Sequence, residues 1–517
     1  MKENNFFSKY LLFSLALSTF PVSILYSSNF QNTNLVLYIF PLVFVYLITL
    51  ILYTFLFLFF KNKNFNKVYV FASIFSIWIF IYGIINEKMI NYDSNIVNIL
   101  GRHRYLLTIS LLFIFLIFVH YLKQNKYFTY KFLITYLILL NIFPLINIIY
   151  KSLILIKDES TIIKKNASNK NFNTKSKSPN VYYIVLDGYA STSSMKRLFN
   201  FNNSDFNSNL ENIGFKIQSN SKSNYCRTNF SLSSTLNLNY VQNITNKKLF
   251  QTDLNTYISD NLVSKIFRKN NYKYYLFDSG FGLKNKYDSD EILIRSNNVF
   301  LSNFFSTSDN DLYSVFINNS IFKILNSNLI RNISVKNYSL KVLNVFEKLP
   351  LIAKNKNKKF VFAHIISPHP PFLFNEYGII GEYGFDTPNK LWNRKLYFDQ
   401  LKFINKKIVK MVRQIIINDK NDKIIIIQGD HGSRILTEEN KLNRYENWVD
   451  ERFSIFNGIY VSNNLSYKKA LENEWDKTSV NTFRLIFNKI FNLNFQLLSD
   501  KLYYSDLQQP YNFVLIK

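Results

Sequence analysis

Between Lys423 and Arg434, four consecutive isoleucines (Ile424 to Ile427) run into Gln428-Gly429-Asp430-His431-Gly432. A short, β-branched apolar run closed by glycine is the pattern of a parallel strand buried on both faces. Asp430 and His431 then stand at the strand's C-terminal end, where open α/β sheets place their ligands. A carboxylate beside an imidazole suits one divalent cation, Zn²⁺ or Mn²⁺ first and Mg²⁺ as a further option. An Asp-His turn that merely caps the next element is the alternative, and histidine placement weighs against it. Of five histidines only His364, His369 and His431 lie beyond residue 156, each at or just past an apolar β-like run.

Three more segments carry matching chemistry. Val181 to Leu186 is a second apolar strand, closed by Asp187-Gly188, so two carboxylates from separate strands can converge on a cation; a plain Asp-Gly turn is the alternative. In Tyr225 to Ser234, Thr228 stands where a helix can begin, with its hydroxyl near free backbone N–H groups and the positive end of the helix dipole. There it serves either as a helix cap or as a metal-activated nucleophile whose helix end favours a phosphate or sulfate. In His364-Ile365-Ile366-Ser367-Pro368-His369-Pro370-Pro371-Phe372, the prolines after His369 hold it at a strand exit. A histidine so held can contact an anion or protonate a leaving oxygen, or it is simply a structural residue of a proline turn. Arg227 and His364 are further candidates for holding substrate.

The elements that must position these residues alternate. Strand patterns at 181–186, 215–218, 274–277, 360–366, 424–427 and 456–461 are interleaved with helix patterns at 205–213, 261–269, 338–349, 392–417 and 480–490. In the longest helix, Tyr397, Leu401, Ile404, Ile408, Met411 and Ile415 recur along one face. This alternation predicts an α/β domain over residues 181–517 with a mostly parallel central sheet. The single cysteine, Cys226, excludes an internal disulfide, and no glycine-rich phosphate loop is present.

The first third is different. The chain of 517 residues is 48% hydrophobic and holds 51 Phe, and five apolar runs fill residues 1–150: Tyr10 to Ser27, Leu35 to Phe60, Val68 to Ile85, Tyr105 to Leu122 and Phe132 to Tyr150. Each reaches the roughly 18 residues a bilayer-spanning helix needs. We therefore expect an α-helical membrane domain of five transmembrane helices. Lys2, Lys9, Lys61, Lys63, Lys67, Lys123, Lys126 and Lys131 flank one side, which the positive-inside rule makes cytoplasmic. An odd number of spans then places everything after Tyr150 outside the cytoplasm, periplasmic or extracellular. Residues 151–180 are rich in Lys, Asn and Ser and read as a basic juxtamembrane linker. The net charge of +28 in such a location argues against nucleic acid and for anionic lipid or polymer. Oligomeric state leaves no readable pattern.

Taken in order, Tyr182-Tyr183-Ile184-Val185-Leu186-Asp187-Gly188-Tyr189, Arg227-Thr228-Asn229-Phe230-Ser231-Leu232, Ser367-Pro368-His369-Pro370-Pro371-Phe372 and Asp430-His431-Gly432 resemble the membrane-bound sulfatase-like branch of the alkaline phosphatase superfamily. That branch contains the lipoteichoic acid synthases and phosphoethanolamine transferases. Arg452-Phe453-Ser454-Ile455-Phe456-Asn457 and Asn481-Thr482-Phe483-Arg484 are similar to its C-terminal half. The resemblance implies a sulfatase-like catalytic domain with one divalent metal held by Asp187, Asp430, His431 and the nucleophile Thr228. It also implies attack on a phospholipid headgroup, release of diacylglycerol, and transfer to an envelope glycan or lipid. His369 is similar in position to a family histidine that contacts the substrate phosphate or assists the leaving group. No second complete ligand set is visible for a second metal. The sulfatase pattern of Cys or Ser followed by x-Pro-x-Arg is broken here, since Cys226 precedes Arg227, Thr228, Asn229 and Phe230. Hydrolysis of sulfate or phosphate esters stands as the alternative, and an inactive binding or scaffold module as a second one.

Overall fold

A computed structural model describes residues 18–27, 35–59, 65–90, 94–123, parts of 141–149, 178–244, 257–277, 291–293, 318–324, 329–381, 392–439, 444–505 and 511–516, with single positions between them. The chain divides into two units, Met1–Asn169 with Asn298–Ser334, and Lys170–Asn297 with Val335–Lys517. The linker expected at 151–180 falls almost wholly outside the described residues.

The first unit is helical. Helices α1 (Leu35–Phe59), α2 (Phe65–Ile90) and α3 (His103–Lys123) overlie the second, third and fourth apolar runs. Residues 18–27 and parts of 141–149 are helical within the first and fifth runs, whose remainder lies outside the described residues. Among the described residues, no helix is long and apolar enough to cross a membrane. The backbone of α1 is nonetheless helical through 25 residues, none of them charged. Val22, Val45, Trp78, Phe80, Tyr82, Leu106 and Ile114 form the core with Phe316, which stacks on Phe80 at 5.4 Å. Outward faces are apolar as well, with Ile51, Phe55 and Phe113 all more than 60% exposed. Polar side chains bond between helices: Thr49 Oγ1 to Ser76 Oγ at 3.0 Å, and Asn147 Nδ2 to Ser27 Oγ at 2.6 Å.

The second unit is built on a seven-stranded sheet of β1 (Asn180–Leu186), β2 (Phe215–Gln218), β3 (Lys273–Phe277), β4 (Glu291–Leu293), β5 (Lys359–Ile365), β6 (Lys423–Gly429) and β7 (Asn457–Val461). Their order is β2-β7-β6-β1-β5-β3-β4. The five strands from β6 to β4 are parallel, and β7 and β2 join antiparallel at one edge. The mostly parallel sheet expected from the sequence is therefore present. Period-two alternation sends Tyr182, Ile184, Leu186, Ile425 and Ile427 into one core. It sends Val181, Tyr183, Val185, Ile424 and Ile426 into the other. Helix α4 (Thr228–Leu236) begins where the sequence allowed one. Helix α5 (Arg394–Asn418) buries the Tyr397, Leu401, Ile404, Ile408, Met411 and Ile415 stripe. Patterning missed β4 and helix α6 (Tyr445–Phe453), a nine-residue element with Glu446, Asp450, Glu451 and Arg452 among its residues.

Candidate active site

Two parallel neighbours of β1 bring the chemistry together. Leu186 pairs in register with Gly429 of β6 and with Ile365 of β5, so Asp187, Asp430 and the residues after β5 leave the sheet side by side. Asp187 donates its N–H to Ile365 O at 3.0 Å, and His369 donates its own to Asp187 O at 3.0 Å. Gly188, at φ +68°, turns the chain so that its N–H reaches Asp430 Oδ1 at 2.9 Å, an αL geometry that glycine adopts without cost. A Cβ at Gly188 would also press on the Trp392 ring, which meets His369 edge-on at 4.9 Å.

His431 lies at the centre. Its Nε2 stands 3.3 Å from Thr228 Oγ1, 3.4 Å from Asp187 Oδ1 and 3.6 Å from Asp430 Oδ2. Its Nδ1 lies 2.7 Å from Gly432 O, which can only accept, so that hydrogen bond assigns the proton to Nδ1. Burial pushes the imidazole below its usual range, against the pull of Asp430 and Asp187. A neutral ring with its proton on Nδ1 aims the Nε2 lone pair at two carboxylates. Asp187 Oδ1 and Asp430 Oδ2 are buried and receive no hydrogen bond. Two carboxylate oxygens left without a donor cost roughly 1–3 kcal/mol each, and a cation is what such a pair lacks.

Burial alone would raise the Asp187 carboxyl, but His369, His364 and His431 together hold it well below the usual carboxylate range. His364 Nε2 lies 3.4 Å from Asp187 Oδ2. That contact, at 4% exposure, puts it against a carboxylate of the cluster. Two ligand groupings have their donor atoms within 4.8 Å of one another, Asp187 with His369 and His431, and Asp187 with His364 and Asp430. They share Asp187 and so describe one cluster. The donor chemistry fits a divalent cation of the Zn²⁺ or Mn²⁺ type.

Thr228 opens α4, where N–H groups of the first turn lack helical partners. Arg227, just before it, donates Nη2 to Ser505 O at 2.8 Å and lies 5.9 Å from the Phe230 ring centre. These contacts turn its guanidinium toward the C-terminal segment; none is with the cluster. Cys226 is buried, and its carbonyl accepts from Arg452 Nη2 at 2.8 Å.

That last bond exposes what sequence reading left without a role. Residues 451–456, at the end of α6, stitch together three of the four segments that carry the site. Arg452 O accepts from Gly432 N–H at 3.0 Å, and Arg452 Nη1 reaches Ser433 O at 3.4 Å. Phe453 O accepts from Ser223 N–H at 2.8 Å, Phe456 N–H donates to Tyr189 O at 3.1 Å, and Gly429 N–H donates to Phe456 O at 2.8 Å. The fully buried Glu451 accepts from the N–H groups of Leu436 and Thr437. A side chain at Gly432 would collide with Glu451 O. Arg452 thus ties the Thr228 turn to the His431 turn, although about 200 residues separate them. The only sequence signal was the Arg452 to Asn457 motif, which names a likeness and no task.

No protein-family model matches the chain, and no curated protein matches it. Among solved structures it is similar to the C-terminal periplasmic domain of EptC from Escherichia coli in complex with Zn. The identity is 10% over 65% of this chain and 92% of that one, with a TM-score of 0.43. It is similar to the integral membrane lipooligosaccharide phosphoethanolamine transferase A of Neisseria meningitidis at 13% identity, over 93% and 95% of the two chains, with a TM-score of 0.39. It is also similar to a protein of the alkaline phosphatase superfamily from Vibrio parahaemolyticus at 10% identity, over 67% and 79%, with a TM-score of 0.39. At these identities the likeness is one of fold outline, and a reaction has to be argued from the residues themselves.

Proposed function

We propose that the chain is a membrane-anchored, metal-dependent transferase. It moves a phospholipid-derived headgroup, of the phosphoethanolamine or phosphoglycerol type, to an envelope glycan or lipid through a covalent Thr228 intermediate. The observation that carries this is the convergence at His431 Nε2 of Thr228 Oγ1, Asp187 Oδ1 and Asp430 Oδ2 at 3.3, 3.4 and 3.6 Å. Asp187, Asp430, His431 and Thr228 would hold one divalent cation, with His364 and His369 at its margin. Bound there, it supplies positive charge that lowers the pKa of the Thr228 hydroxyl and offsets charge on a phosphate.

The residues do the rest. Thr228 Oγ, its proton released to solvent beside that positive charge, attacks phosphorus as the bond to the diacylglycerol oxygen breaks, and the departing oxygen takes a proton from His369. Pro370 O lies 2.6 Å from His369 Nδ1 and can only accept, so the Nδ1 proton is engaged there. When His369 is protonated, its Nε2–H is the one left to give to the leaving oxygen, and Nε2 afterwards takes the proton of the acceptor hydroxyl. That hydroxyl attacks the phosphothreonine and returns Thr228. Unpaired N–H groups at the start of α4 favour the phosphate oxygens. The broken sulfatase motif and the 3.3 Å approach of Thr228 Oγ1 to His431 Nε2, against the packing of Cys226 among Val449, Phe453 and Leu502, favour Thr228 over Cys226 as nucleophile.

Anchoring rests on the five apolar runs and on the apolar outward faces of α1 and α3, which lipid would cover. The N-terminus is then cytoplasmic and the catalytic unit outside, on a bacterial cytoplasmic membrane. The test is the mass of the Thr228 peptide after incubating the purified chain with Zn²⁺ or Mn²⁺ and bacterial lipid extract. A headgroup-sized adduct on Thr228 is expected. An adduct on Cys226 together with turnover of an aryl sulfate would replace this reading by a sulfatase.

A further inference from the structure

The chain after His369 makes an unusually well bonded turn. Phe374 and Ile380 form an antiparallel bridge. Asn375 Oδ1 accepts the N–H groups of Tyr377 at 3.0 Å and Ile379 at 2.9 Å, and Gly381 N–H donates to Leu373 O at 3.1 Å. Gly378, at φ +84°, packs against the Phe403 ring. The inner side is core, with Phe372, Leu373 and Phe374 at 1% exposure or less. The outer side presents Tyr377 at 76%, Ile379 at 59% and Ile380 at 43% exposure. A turn this well fixed does not owe its exposed apolar tip to loose packing.

Its flank is basic. Glu376, the acid of the turn, pairs with Lys402 Nζ at 2.9 Å, and Lys406 Nζ approaches Glu376 O at 3.4 Å. Lys407 lies beside Phe403 with its ammonium 5.4 Å from the ring centre. An aromatic and two aliphatic residues at a tip, flanked on one side by three lysines of α5 with one described acid among them, Glu376, match the headgroup layer of an anionic bilayer. Three residues are too few for a stable protein interface, which takes roughly 800 Å² per partner. The fully buried Gln400 links tip to site: its Oε1 accepts Leu373 N–H at 2.7 Å and Phe374 N–H at 3.2 Å, while its Nε2 donates to His369 O at 3.3 Å.

We infer that Tyr377, Ile379 and Ile380 enter the interfacial layer of an anionic bilayer and set the depth at which a lipid phosphate meets His369. The inference rests on the phospholipid-donor reading above. It is tested with the full chain in nanodiscs of phosphatidylglycerol and phosphatidylcholine, carrying a fluorophore on Ile379→Cys, since the natural Cys226 is buried. Quenching by lipids with a spin label near the headgroup is expected. No quenching at 379 overturns the inference. In turnover, a variant combining Tyr377→Ser, Ile379→Ser and Ile380→Ser should raise KM about tenfold for long-chain phosphatidylethanolamine or phosphatidylglycerol in the bilayer. It should leave kcat/KM for the soluble dihexanoyl lipids within about twofold. Equal loss on both substrates overturns the inference. Quenching at 379 without turnover of any lipid by the unmodified chain supports the tip while sinking the headgroup-transfer reading.

Discussion

The two ends of the central sheet each bury aspartates, and they treat them in opposite ways. At the N-terminal end of the parallel strands, Asp419 is 3% exposed and fully used. Asn180 Nδ2 donates to both of its oxygens at 3.1 and 2.8 Å, Tyr182 OH at 2.6 Å, and Asn421 N–H at 3.0 Å. At the C-terminal end, Asp187 and Asp430 are as deeply buried, yet each keeps an oxygen that no donor reaches. A saturated buried carboxylate is a structural brace. A buried carboxylate left short of donors, beside a second one and a neutral imidazole, is a place kept for a cation.

The largest effects should separate these ends. Thr228→Ala and Asp430→Asn are expected to cut transfer at least about a thousandfold. Asp430→Asn should also abolish stoichiometric Zn²⁺ in equilibrium dialysis while leaving the melting temperature of the metal-free protein unchanged or higher. A melting temperature lowered by Asp430→Asn would erase the contrast. Next in size, Asp419→Ala leaves Asn180 and Tyr182 without their acceptor and should cost about 2 kcal/mol in urea unfolding, with metal stoichiometry intact.

Smaller effects sharpen how the functional end is assembled. Arg452→Lys keeps the charge but cannot span two carbonyls. It should lower kcat about tenfold with metal content retained, and Arg452→Met should lower it further. If Arg452→Lys lost stability and kept kcat, the residue would be a brace like Asp419. The mildest test is pH. With the His431 pKa lowered in the folded chain, the unfolded chain takes up a proton first as pH falls. The stability of the metal-free protein should therefore be complete above about pH 6.5 and decline as pH drops through the folded value. His431→Gln should flatten that slope, as read by thermal melts across pH 5 to 7. Asp187, held low by three histidines against its burial, acts on the same side of the curve but only at far more acid pH.

Local pattern was enough to show that Asp187, Asp430 and His369 leave strand ends and that Thr228 opens a helix, because strand and helix periodicity are properties of neighbouring residues. The apolar runs under α1, α2 and α3 were legible for the same reason, although among the described residues no helix is long and apolar enough to cross a membrane. Pattern could not show that β5 and β6 both flank β1, which is what makes His364 a neighbour of Asp187. Nor could it find the work of Arg452, whose partners Cys226 and Ser433 lie on separate segments, or turn Arg227 toward Ser505. Residue types and their local spacing decided which groups could do chemistry. Strand order and long-range hydrogen bonds decided which of them meet, because a contact between residues hundreds apart depends on packing that no window of sequence contains.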